Sequence, residues 1–134
     1  MNADLLPPAL RAFLHGETKA VDFHHADHVR IAYEILRRHT DFLTAAKHYS
    51  EALKSLAVRA GTPAAYHETI TLAFLSLIAE RLAARCYDDF EAFAVANADL
   101  LEKSALGRWY DPERLHSAIA RRTFVLPRPA ELQR

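Results

Sequence analysis

Residues 64–85 read AAYHETITLAFLSLIAERLAAR, and this run decides the fold. It is the longest apolar stretch of the chain. At about 100° per residue, Thr69, Ser76 and Glu80 fall on one side of a helical wheel. His67, Thr71, Phe74, Ile78 and Leu82 fall on the other. The spacing therefore predicts a central helix over 64–85, with Thr62 as cap, Pro63 as first helical residue and Phe74, Leu77 and Ile78 in the core. It also turns His67 inward, near the start of that helix.

Outward from this run, the rest of the chain shows the same period. A short helix is expected over Pro8–His15, closed by Gly16, then a polar connector over 17–22. The next helix runs from about His25 or Asp27 to Arg38, with Arg30, Glu34, Arg37 and Arg38 on its wet face and Ile31, Ala32, Ile35 and Leu36 on its dry one. A third runs from Asp41 to Ala60, capped by Thr40 and ended by Gly61. Phe42, Ala45, Ala46, Tyr49, Leu53 and Leu56 mark its inner face. Asp88-Asp89-Phe90-Glu91 reads as a capping box for a short helix to Ala96. A further turn is expected within 99–104, and Asp111-Pro112-Glu113 opens a last helix to about Arg122. Trp109-Tyr110 should pack that helix onto the bundle. From about residue 124 an extended tail is expected. No segment alternates with the period of a strand. The fold class is all-α: one domain over residues 1–134, a four-helix core with additional short helices.

Composition narrows the function classes. The 17 basic and 17 acidic residues cancel, so nothing electrostatic favours nucleic acid or an anionic membrane as partner. The run Ile70–Ala79 is too short to span a bilayer. The first residues lack the basic-then-apolar order of a signal peptide. Cys86 is the only cysteine, which excludes an intrachain disulfide and fits a reducing, cytoplasmic compartment. It reads as a packed thiol. The eight histidines are the unusual feature.

With the arginine face of helix 23–38 outside, His25 and His28 flank the inward direction. If the starts of the two helices meet, His25, His28 and His67 converge. Three imidazoles with an open position form the ligand set of a catalytic divalent metal such as zinc, and would equally suit nickel or iron. Glu68 is then placed as fourth ligand or general base of a hydrolase or transferase. Asp27, Tyr66 and Thr71 are placed to orient the ligands from behind. The structural alternative uses the same residues as a buried polar cluster in a non-catalytic protein that binds a small molecule or a partner. A third expectation is a homodimer through the apolar face of helix 41–60. His15, His39, His48 and His116 read as surface residues.

The pattern Phe23-x-His25-x-Asp27-His28, followed by Tyr66-His67-Glu68-Thr69-x-Thr71-x-Ala73-Phe74, resembles a family of small bacterial helical proteins. So does Asn97-x-Asp99-Leu100-Leu101 with Arg121-Arg122-x-Phe124. The resemblance spans about residues 21–127 and implies a cytoplasmic bacterial protein, but no reaction. In arrangement alone the chain is also similar to DinB-type bundles, which hold a divalent metal with three histidines. The ligand spacing of those bundles is not reproduced here.

Overall fold

In the computed structural model, which describes residues 6–129, three long helices pack against one another. They are α2 (His25–Arg38), α3 (Phe42–Arg59) and α4 (Glu68–Ala84). The short α1 (Pro8–Leu14) takes the fourth position, against α2 and α3, and α5 (Phe90–Ala96) lies on α2. Two 3₁₀ turns, Ala98–Leu101 and Lys103–Arg108, lead to α6 (Pro112–Leu115) and α7 (Ala118–Arg122), and α7 packs on α4. No strand occurs among the described residues, so the chain is all-α, as the periodicity predicts. No helix among them is long and apolar enough to cross a membrane.

The helix ends follow from cap chemistry. Asp41, rather than Thr40, caps α3: its carboxylate accepts the Thr44 N–H at 3.0 Å and the Thr44 hydroxyl at 2.6 Å. A carboxylate here satisfies a donor that the helix cannot, and Asp41 is one residue nearer to it. Gly16 (φ +74°) and Gly61 (φ +77°) sit just beyond α1 and α3 in the left-handed region, where a Cβ is costly. The central helix starts later than Pro63. Residues Pro63–Ala65 form a separate 3₁₀ turn, and His67 becomes the N-cap of α4, its ring accepting the Ile70 N–H at 3.1 Å. The last helix splits in two because the Ser117 hydroxyl accepts the Ala120 N–H at 3.2 Å and so opens a new helix start.

The deepest burial lies in α2, not in α4. Val29, Ile31, Ala32, Tyr33 and Ile35 are all at most 3% exposed. The Tyr33 ring packs against both Phe90 and Phe93, at centroid distances of 5.4 and 5.1 Å, in a three-ring cluster. Glu34, expected on the wet face, is buried as well, and its carboxylate pairs with Arg38 one turn on. In α4, Phe74 and Ile78 are core as expected. Leu75 is fully buried and Leu77 only partly so, which rotates the buried face slightly from the one read off the wheel. On α3 the inner face is as predicted except Phe42, which is 37% exposed; Leu43 and Val58 also point outward. Cys86 is exposed rather than packed.

Thr69 looks like a wet-face residue on the wheel, yet it is completely buried. Its hydroxyl donates to the Thr123 carbonyl at 2.7 Å and accepts the Val125 N–H at 3.1 Å. Together with the Tyr110 hydroxyl on the Val125 carbonyl at 2.7 Å, it holds the extended segment 124–129 against α4. The sequence period misses this because the tail, not solvent, covers that side of α4; the tail beyond 129 lies outside the described residues. Thr69→Val keeps the shape and leaves a buried N–H and a carbonyl unpaired. It should lower the unfolding free energy by about 1–3 kcal/mol, while Thr69→Ser should lose less than half of that. Urea denaturation of the three proteins checks this.

Candidate functional site

The start of α2 is built to present two imidazoles. His24, in extended backbone, is the N-cap, and its own N–H donates to the Asp27 carboxylate at 2.8 Å. Asp27 is thus half of a capping box and shapes the first turn. That turn places His25 and His28 three residues apart, on one face. The His25 ring stands edge-on to Phe74 at 5.0 Å, and its Nε2 donates to the Leu100 carbonyl at 3.0 Å. This bond puts the proton on Nε2 and leaves Nδ1 as an acceptor.

Leu100 is itself held in place. Arg81 of α4 grips Asp99 with two bonds, of 2.9 and 3.1 Å, and Asn97 with a third, of 2.9 Å. The guanidinium fork and the two carboxylate oxygens match in geometry, so the turn Ala98–Leu101 is pinned to α4. Residues seventy-five positions apart thereby set the direction of the His25 ring.

His28 packs edge-on to Phe23, at 4.4 Å, above the inner face of α3. The Tyr49 hydroxyl donates to its carbonyl at 3.3 Å. Burial is the main reason that its pKa falls from 6.5 to about 4, with His25 and Lys103 pushing the same way and Asp27 opposing them. At neutral pH the ring is uncharged.

His67 is committed at both nitrogens. Nδ1 accepts the Ile70 N–H, and Nε2 donates to the Leu115 carbonyl at 2.7 Å. Burial lowers its pKa too. The residue thus caps α4 and ties α6 to it, which is the structural role set against ligation in the sequence. Beside it, the Tyr66 hydroxyl donates to Glu68 at 2.6 Å. Burial is the largest cause that raises the Tyr66 phenol pKa, and the Glu68 carboxylate adds to it; burial likewise raises that of Tyr49. Both phenols stay protonated.

These groups share one cavity. A cleft of about 530 Å³ runs between α2, α3 and α4, open at one side. His25, His28, His67, Tyr66 and Thr71 all line it, whereas Asp27 and Glu68 do not. Val29, Leu53, Leu56, Ile70, Phe74 and Ile78 supply most of the wall. Phe23, Tyr49 and Lys103 also line the cleft and were not among the residues picked out as candidates. Lys103 leaves no local signal: it reaches the cleft only because the turn Lys103–Arg108 packs back against α4.

The hydrogen bonds of the three rings leave them unequally available to a metal. His67 has no free nitrogen and His25 keeps only Nδ1. Among the described residues, no three His, Cys, Asp or Glu side chains are grouped to hold an ion. Glu68, bonded to Tyr66 and outside the cleft wall, is not aimed as a base at a ligand there. What the cleft offers at neutral pH is an apolar wall with a few neutral donors and acceptors and one lysine. No family model, curated protein or solved structure matches the chain.

Proposed function

We propose that this protein binds a small molecule in the cleft between α2, α3 and α4 and carries out no chemistry on it. One observation carries the reading: an apolar-walled cavity of about 530 Å³ whose polar groups converge from four separate parts of the chain. That volume lies in the usual range of ligand pockets, and a mostly apolar wall with few oriented polar groups is their common composition. The polar groups are pinned by the fold, His25 and His67 on carbonyls and Tyr66 on Glu68. Such groups orient a ligand at little entropic cost. A base as weak as His28, with a pKa of about 4, is poorly matched to proton abstraction near neutrality.

Ala57 lines the cleft from the second half of α3 and is only partly buried. Ala57→Phe should fill the cavity, weaken binding of octan-1-ol at least tenfold and change the melting temperature little. Isothermal titration and thermal unfolding of the variant test this. Undiminished binding in Ala57→Phe would move the ligand elsewhere. The competing proposal is a metal-dependent hydrolase or transferase. It requires His67 to release one of its two backbone partners, and it would be favoured by stoichiometric zinc, nickel or iron in purified protein that disappears in His28→Ala.

A further inference from the structure

Resting on the cleft as a ligand site, we infer that its ligand is an amphiphile with an anionic head, such as a carboxylate, seated at the α2 end, and an apolar body along α3. The charge pattern of the cleft carries this. His24, His25, His28 and Lys103 line one end, and no aspartate or glutamate lines any part of it. Two carboxylates next in sequence to cleft residues are engaged by other groups. Asp27 accepts the His24 N–H, and Glu68 accepts the Tyr66 hydroxyl. Among the described residues no carboxylate forms an ion pair with Lys103. This end of the cleft therefore carries one cation, Lys103, beside three imidazoles, and no carboxylate in its wall.

The remainder of the cavity is of the opposite character. Leu53, Leu56, Ala57 and Ala60 of α3 form a wall that continues into Ala65 and Ile70. An apolar chain laid there would leave water, at a gain of about 0.8 kcal/mol for each buried CH₂. The starts of α2 and α4 both border the cleft, and their partial positive charge favours an anion in the same direction. A cationic head would meet Lys103 and gain no carboxylate. A neutral head would bind, but without the charge-assisted bonds open to a carboxylate.

The test is a comparison of three ligands with one tail: octanoate, octan-1-ol and octylammonium, titrated calorimetrically at neutral pH and low salt. Octanoate should bind roughly five- to tenfold more tightly than octan-1-ol, and octylammonium more weakly than either. Lys103 is exposed, so Lys103→Gln should fold normally and narrow the gap between octanoate and octan-1-ol to about twofold. Lys47→Gln, on the outer side of α3, should leave the gap unchanged. Equal or tighter binding of octan-1-ol or octylammonium would overturn the charge assignment while leaving the ligand cleft in place. So would a gap that survives in Lys103→Gln. Binding of none of the three would overturn both.

Discussion

Tyr33→Ala should be among the most destabilising single substitutions in the chain, lowering the unfolding free energy by about 3–5 kcal/mol. Tyr33 is completely buried in the middle of α2, with its ring packed against two phenylalanines of α5. Its hydroxyl accepts a bond from Arg37 Nη1 at 3.0 Å. Truncation removes a whole ring from a site where α2, α5 and the neighbouring core cannot all collapse inward, so the cost includes a cavity as well as lost burial. Tyr33→Phe should lose only about 1 kcal/mol, the net value of one hydrogen bond. Phe74→Ala, by contrast, should cost less than Tyr33→Ala although both are large aromatics. Phe74 already borders the open cleft, so its removal enlarges an existing cavity rather than creating one. Chemical denaturation of the three variants checks the order; a Phe74→Ala loss larger than that of Tyr33→Ala would misplace the core.

Acid should destabilise the protein well before its carboxylates protonate. In the unfolded chain His28 titrates near 6.5, and in the fold near 4. Between these values the unfolded state holds more protons, so stability rises with pH there. The contribution is fully present above about 6.5 and is lost as pH falls toward 4. At about 1.4 kcal/mol per pH unit the full loss is roughly 3 kcal/mol. His67 and His39, whose pKa values are also lowered by burial, add in the same direction. Asp41 and Asp99, held below the ordinary carboxylate value by hydrogen bonds from Thr44 and Arg81, contribute only below that window. The unfolding free energy measured at pH 7 and at pH 4.5 should therefore differ by about 2 kcal/mol or more, and His28→Gln should remove most of the difference. An unchanged difference in His28→Gln would assign the acid sensitivity to other groups.

Much of the fold is legible in the sequence because the helices are amphipathic and punctuated. Gly16, Gly61 and Asp89 mark ends where local chemistry alone decides, and the inner faces of α2 and α3 follow the helical period. The errors fall where tertiary contacts override that period. Thr69 sits on the polar side of its wheel and is buried because the tail folds over it. Glu34 is buried because Arg38 reaches it within one turn. The late start of α4 depends on an imidazole acting as a cap, a role that usually falls to Ser, Thr, Asp or Asn.

The candidate site is legible to a different degree. The wheels turn His25, His28 and His67 inward, and the three rings line one cleft. What their bonds do could not be read from spacing. The partners of His25 and His67 are the Leu100 and Leu115 carbonyls, 75 and 48 residues away. A backbone carbonyl carries no side-chain signature. Lys103, which gives the cleft its charge, is equally remote.

The most direct test of the ligand cleft is a titration of the ¹⁵N-labelled protein with octanoate, followed residue by residue through its amide signals. Saturable shifts should be confined to the first turn of α2, the second half of α3, the 62–67 turn and the neighbourhood of Lys103, and they should vanish in Ala57→Phe. Shifts that do not saturate, or that centre on the outer face of α3 or on the segment 124–129, would contradict the cleft as the binding site.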